Sequence, residues 1–278
     1  MKIAFIGGGN MAAALVAGLA GKLTPGANIH VVDPNPASLE KLRQEYGVTV
    51  AATAGEAVGA AEVLVLAVKP QVMHEVTQQL LPLLQAARAA GRSPLVLSIA
   101  AGIRAQDLSR WLGGYQAIVR TMPNTPALVG MGVTGMVASS GVSAAQREAA
   151  DQILRAVGTT VWLDDESKID AVTAVSGSGP AYVFYFIEAM QQAAEELGLT
   201  AEQGKQLAMA TFTGAARLAV ESPEPVPVLR EKVTSKGGTT YAALTSMEES
   251  GVKAAIVTAV KAAAARGKEL GEQLGAAG

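Results

Sequence analysis

Ten residues near the start of the chain, Ile3-Ala4-Phe5-Ile6-Gly7-Gly8-Gly9-Asn10-Met11-Ala12, join an apolar strand to a glycine turn and the start of a helix. That spacing suits a pyrophosphate. Gly7 permits a tight turn, Gly9 lets the backbone approach a ligand, and Ala12 supplies the third small position, where helix packs on strand. The amides opening the helix then face the phosphates. A second apolar run, Ile29-His30-Val31-Val32, ends at Asp33. This is about twenty residues past the glycines, where a carboxylate meets the adenosine ribose of a dinucleotide. In open parallel sheets ligands sit beyond the carboxyl ends of the strands, so the strand-end residues Ala67-Val68-Lys69-Pro70 and Ala100-Ala101-Gly102 are also candidates. Small side chains at Ala100 and Ala101 let a flat ring approach the backbone. Pro70 biases Lys69 towards an extended conformation, aiming it at a ribose. Met122-Pro123-Asn124-Thr125-Pro126 reads as a rigid turn.

The elements that must position these residues come in two textures. Strand-like runs at Lys2–Ile6, Asn28–Val32, Val48–Val50, Glu62–Val68, Pro94–Ser98 and Gln116–Arg120 alternate with helix-like segments, as a doubly wound parallel sheet of the Rossmann type requires. Val133–Ala138 and Thr159–Leu163 extend that sheet. After Asp164 the chain turns to long alanine-rich stretches broken by Gly198, Pro223-Glu224-Pro225 and Gly251. The expected division is therefore an α/β domain over 1–163 and an all-helical domain over 164–278. Ser176-Gly177-Ser178-Gly179-Pro180-Ala181-Tyr182 reads as a helix start, with Pro180 in the first turn and Ser178 as cap. Tyr182 to Ile187 is apolar at six successive positions, which leaves no solvent face and points to an oligomer interface. Thr234-Ser235-Lys236-Gly237-Gly238-Thr239-Thr240 is a glycine loop entering a helix near Tyr241, and its free amides make a nest for a small anion.

Composition narrows the function classes. A chain of 278 residues, half of them hydrophobic, can bury a large core and carries a formal charge of −2, with acids and bases interspersed. Nucleic-acid binding is disfavoured. The chain has no cysteine, which removes disulfides, thiolate metal sites and a cysteine nucleophile together, and its two histidines, His30 and His74, cannot build a histidine-rich metal site. No metal is expected. The first apolar run is strand-length, without a signal-peptide core, and no apolar run reaches membrane-spanning length. A cytoplasmic protein that does not associate with membranes is the expectation.

Taken together, Gly7 to Met11, Ala67-Val68-Lys69-Pro70, Ala100-Ala101-Gly102, Met122 to Pro126, Asp170-Ala171-Val172-Thr173, Ser176 to Tyr182 and Ser235 to Thr240 resemble the pyrroline-5-carboxylate reductases. The resemblance covers essentially the whole chain. It implies a Rossmann domain followed by a helical dimerisation domain that interlocks with a second copy, as a homodimer or higher oligomer. It also implies reduction of 1-pyrroline-5-carboxylate to L-proline by NADPH or NADH. The cofactor would lie on Gly7, Gly8, Gly9, Asn10, Met11, Asp33, Asn35, Ala67, Val68, Lys69, Pro70, Ala100 and Ala101. The amides around Gly237, Gly238 and Thr239 would hold the substrate carboxylate, with Ser235 shaping the loop, and the Thr240 hydroxyl would act catalytically on the ring nitrogen. Glu166 would help close the substrate pocket.

The chemistry suits a chain without a convincing histidine base, because a protonated imine is already electrophilic and needs mainly alignment and exclusion of water. Two features depart from the family pattern. Thr53-Ala54 stands where many relatives carry an asparagine on the adenosine side, and Asp33 favours NADH in a family that often uses NADPH. The competing readings are a β-hydroxyacid or other imine dehydrogenase of the same plan, using Lys168 or Lys205 as acid or base, and a non-catalytic NAD-binding regulator.

Overall fold

The computed structural model describes residues 1–276. Its first part is an eight-stranded sheet built in chain order from β1 (Ile3–Ile6), α1 (Asn10–Leu19), β2 (Ile29–Val32), α2 (Pro36–Tyr46), β3 (Thr49–Ala51), α3 (Glu56–Gly59), β4 (Val63–Leu66), α4 (Met73–Ala89), β5 (Leu95–Ser98), α5 (Ala105–Trp111), β6 (Ile118–Met122), β7 (Gly132–Ala138), α6 (Ala144–Arg155) and β8 (Gly158–Trp162). The strand order is β3-β2-β1-β4-β5-β6-β7-β8. β1 to β6 run parallel, β7 is antiparallel to β6, and β8 is parallel to β7. The strands are those expected from the apolar runs, with no end shifted by more than two residues.

Period-two alternation divides the core into two layers. Ile3 and Phe5 of β1 face one side with Leu15, Leu19, Leu39, Ile153 and Leu154, while Ala4 and Ile6 face the other with Leu80, Leu84, Leu108 and Trp111. β1, β4 and β5 are buried at every position, as expected of parallel strands covered by helices on both faces. α6 opens with a capping box in which Ser143 Oγ accepts from the Gln146 amide and the Gln146 side chain accepts from the Ser143 amide.

The compact units divide differently from the 163/164 boundary: one comprises Met1–Ser178 together with residues from Ala263 onward, the other Gly179–Ala262. Packing explains the shift. In α7 (Ile169–Val172), Ile169 is buried and Val172 lies against Gly135 of β7. At the far end of the chain, Leu274 joins the layer containing Leu108 and Trp111, and Arg110 Nη2 donates to the Gly275 carbonyl at 2.6 Å.

A helix does begin at Gly179 with Pro180 in its first turn, as expected, but Ser178 lies in right-handed helical backbone and not in a cap conformation. A π-helical turn, Thr173–Gly177, follows α7 directly, and Ser178 is itself helical with its amide donating to Thr173 O at 2.8 Å. Pro180 has no N–H to offer the Ser176 carbonyl four residues earlier. That carbonyl instead accepts from Asn124 Nδ2 at 3.1 Å.

The second unit contains α8 (Gly179–Glu196), α9 (Ala201–Glu221), α10 (Val226–Lys232), α11 (Thr239–Glu249) and α12 (Val252–Ala276) up to Ala262. Gly198, at φ +93°, ends the α8 segment, and Thr200 and Gln203 form a capping box that starts α9. Gly204 is where α9 comes close to α8, since a side chain there would meet Ala194 Cβ at 3.0 Å. The apolar girdle of α8 is open in the single chain, with Phe184 60% and Tyr185 73% exposed.

Candidate functional site

The glycine turn after β1 divides its work among three residues. Gly7 has φ +102°, and a Cβ there would sit 2.6 Å from the Ala67 carbonyl oxygen, so both its dihedral and its neighbour require glycine. The Gly7 amide donates to Val32 O at 2.7 Å, binding the turn to the end of β2. Gly8 lies against Asp33, whose Oδ2 accepts from the Gly8 amide at 2.6 Å. Gly9 caps α1 in an extended conformation with no side-chain partner, and a Cβ there would meet nothing within 4 Å. Backbone donors therefore stand beside open space at the positive end of a helix, the arrangement a pyrophosphate needs.

A cleft of about 580 Å³ opens at the same sheet edge. Gly7, Gly9, Asp33, Ala67, Val68 and Lys69 line it, and Ala52, Thr53 and Ala54 wall the side beside β3. Gly8 and Asn10 instead line a smaller hollow between α1 and α2, and Met11 packs partly buried on the core. Asn35 caps α2, its Oδ1 accepting from the Ala37 and Ser38 amides. Pro70 begins a short 3-10 turn after Lys69, which is extended at φ −62° and ψ 144° as the Lys-Pro pair predicts. Ala100 is buried and Ala101 exposed just beyond β5. The bend there is braced by Ser98, whose carbonyl accepts from Thr121 Oγ1 at 2.9 Å.

Two residues given no role in the sequence reading hold this framework. Asn124, 8% exposed, accepts from the Val133 amide at 2.9 Å and donates to Ser176 O, riveting the Met122–Pro126 turn to β7 and the π turn. Arg120, its side chain 5% exposed, pairs at 2.8 Å with Glu166 Oε1, which also accepts from the Ala105 amide at 2.7 Å. Glu166 is thus tied to β6 and the first turn of α5, unlike the neighbouring acids Asp164 and Asp165. An arginine in the apolar run Ala117-Ile118-Val119-Arg120 was the available signal, because a buried guanidinium requires a carboxylate.

In the second unit α11 begins at Thr239, two residues earlier than the sequence reading, so Thr239 and Thr240 occupy its first turn. Gly237 has φ +76°, and the Gly238 amide donates to Ser235 O at 3.0 Å. No side chain caps the helix, and its first intrahelical bond runs from the Ala242 amide to Gly238 O. The intervening amides of Thr239, Thr240 and Tyr241 are the ones a helix start leaves for an anion.

Alternative bases fare poorly. Lys168 and Lys205 are both well exposed and face Asp164 and Glu202. Hydrogen bonding to Asp164 raises the Lys168 pKa, the wrong direction for a base. Burial lowers the pKa of His30, which shares a hydrogen bond with Thr49 Oγ1, and His74 stacks edge-on against Trp111. No group of three or more His, Cys, Asp or Glu side chains converges among the described residues, and no helix there is long and apolar enough to cross a membrane.

The chain matches two family descriptions, pyrroline-5-carboxylate reductase dimerisation over residues 166–270 and NADP oxidoreductase coenzyme F420-dependent over residues 2–102. A pyrroline-5-carboxylate reductase of Pseudomonas aeruginosa is 48% identical over 274 residues, covering 99% of this chain and 98% of that protein. The Haemophilus influenzae pyrroline-5-carboxylate reductase is 42% identical over 272 residues, covering 96% and 97%. Among solved structures, a pyrroline-5-carboxylate reductase from Coxiella burnetii has a TM-score of 0.90 at 40% identity, covering 97% of this chain and 98% of that one. Plasmodium falciparum pyrroline carboxylate reductase with NADP bound has a TM-score of 0.84 at 29% identity, covering 98% of both.

Proposed function

The chain belongs to the pyrroline-5-carboxylate reductase family, and from that membership we propose that it reduces the cyclic imine 1-pyrroline-5-carboxylate to L-proline with NAD(P)H, the last step of proline biosynthesis. The observation that carries this reading is full-length similarity combined with a glycine turn that leads into an uncapped helix start, whose first amides fit a dinucleotide pyrophosphate. Bound NAD(P)H supplies the hydride. Gly9 and the first turn of α1 hold the phosphates while Gly7 makes the turn that brings them there, Asp33 faces the adenosine ribose, and Ala67 to Pro70 with Ala100 and Ala101 form the bed for the nicotinamide half.

The substrate's carboxylate is assigned to the amides around Gly238 and Thr239, where those of Thr239 and Thr240 are left free at the start of α11 because the Gly238 amide is bonded to Ser235 O. Ser235 and Gly237 give the loop its turn. The Thr240 hydroxyl hydrogen-bonds the ring nitrogen, keeping the imine carbon aligned for hydride addition. Glu166 contributes indirectly, by fixing the first turn of α5 below the Ala100–Gly102 bend. Purified protein given the cyclic imine should oxidise the reduced cofactor and yield proline, whereas folded, cofactor-binding protein that leaves the imine untouched overturns the reading. Thr240→Ala should lower kcat by about tenfold with cofactor affinity nearly unchanged, since one hydrogen bond contributes about 1 kcal/mol or somewhat more. An unchanged kcat removes Thr240 from the chemistry.

The partner proposed for the second unit is another copy of the chain, at least as a homodimer. Residues 166–270 match a dimerisation domain, and Val183, Phe184 and Tyr185 are exposed beside an apolar hollow of about 360 Å³ that includes Tyr182, Phe186, Val252, Ile256 and Val260. Phe186→Asp should reduce the assembly to monomers or insoluble protein, because it places an unpaired charge in a surface that pairing would bury. Light scattering from a stable unmodified monomer would rule out the pairing. The cytoplasm is the proposed compartment, consistent with a cysteine-free chain.

A further inference from the structure

We infer that this chain selects NADH over NADPH, through a turn after β2 that has already satisfied the donors a ribose phosphate would need. The inference rests on the reductase reading and names its cofactor. Asp33 uses both carboxylate oxygens within the turn: Oδ2 accepts from the Gly8 amide at 2.6 Å and Oδ1 from the Asn35 amide at 2.8 Å. Gly8 makes this seat possible, since a Cβ there would lie 3.3 Å from Asp33 Cβ. Asn35 Oδ1 then accepts from the Ala37 amide at 3.0 Å and the Ser38 amide at 3.5 Å. The N–H groups at the start of α2 are thereby occupied by side-chain oxygens of the same turn.

A ribose diol and a ribose phosphate meet this surface differently. Each carboxylate oxygen keeps a lone pair for a hydroxyl donor, so an unphosphorylated ribose is accepted without breaking the turn. A phosphate brings negative charge to a fixed carboxylate and has no free amide to compensate. The cations on α2 do not relieve this. Arg43 is paired with Glu40, and Lys41 lies 4.0 Å from Glu45. Of the residues lining the cleft, Lys69 is the one cation, and Glu75 adds a further acid. Lys69 follows β4, and the order β2-β1-β4 places it two strand spacings from the end of β2, roughly 10 Å away. That distance suits the pyrophosphate or the nicotinamide ribose and not the adenosine ribose.

The test is direct titration of the full-length protein with NADH and NADPH, followed by cofactor fluorescence and without imine. NADH should bind at least about tenfold more tightly, as expected when a carboxylate faces the added phosphate. Asp33→Ser should narrow or reverse the ratio. Asp33→Asn, which keeps the shape and an acceptor oxygen, should move it in the same direction, and circular dichroism verifies that both variants fold. Lys69→Met should weaken both cofactors alike. Unmodified protein that binds NADPH as tightly as NADH, or a ratio unmoved by both Asp33 variants, overturns the inference. Preferred NADPH binding with active imine reduction overturns the inference alone, whereas folded protein that binds neither cofactor overturns the reductase reading with it.

Discussion

Replacing Glu166 by alanine should destabilise the protein by about 3 kcal/mol, near the lower end of what breaking a buried ion pair costs. The partner left behind sets the size of the effect. Arg120 is 5% exposed on its side chain, and its Nε atom finds no hydrogen-bond partner among the described residues even with Glu166 present. Without the carboxylate the guanidinium is a buried cation with no counter-charge, and the Ala105 amide at the start of α5 loses its acceptor as well. Arg120→Met should cost less, because Glu166 is 31% exposed and keeps the Ala105 amide. Glu166→Gln should fall between, retaining an acceptor for both donors but not the charge. Combining Arg120→Met with Glu166→Leu should recover part of the loss. Denaturant midpoints of the four variants decide the matter. If Arg120→Met is the more damaging single change, the buried guanidinium is not what makes the pair necessary.

The second large effect separates the two outer glycines of the turn after β1. Gly9→Val should reduce cofactor affinity by on the order of a hundredfold, corresponding to about 3 kcal/mol. Gly9 has φ −71° and nothing within 4 Å of its Cβ position, so the fold accommodates the side chain at a cost of about 1 kcal/mol for a poorer cap. The methyl groups, however, occupy the space in which a pyrophosphate would approach the backbone. Gly7→Val should damage the fold itself, because a β-branched residue at φ +102° is strained and its Cβ would stand 2.6 Å from Ala67 O. Thermal unfolding and cofactor fluorescence on both variants test the division. Normal affinity in Gly9→Val would remove the turn from the phosphate site.

The sequence by itself determined the parts of this protein that depend on neighbours along the chain. Gly7-Gly8-Gly9 after an apolar run, Asp33 at the end of the next, and the Lys69-Pro70 pair each encode a backbone conformation locally, and strand alternation needs only period-two burial. The alanine-rich texture after Asp164 announced helices for the same reason. Tertiary structure decided what depends on residues far apart in sequence. The unit boundary falls at Ser178 because Ile169 and Val172 pack on the sheet, a contact no local pattern marks. The π turn that runs into the helix start at Gly179 is supported by Asn124, more than fifty residues away, which holds the carbonyl that Pro180 cannot serve. Arg120 and Glu166 are each unremarkable in sequence, and only the fold brings them to 2.8 Å. The direction of the Asp33 carboxylate likewise depends on which amides reach it, and those belong to residues on two different loops. Gly8 and Asn35 reach it here, and that geometry connects a local motif to a choice of cofactor.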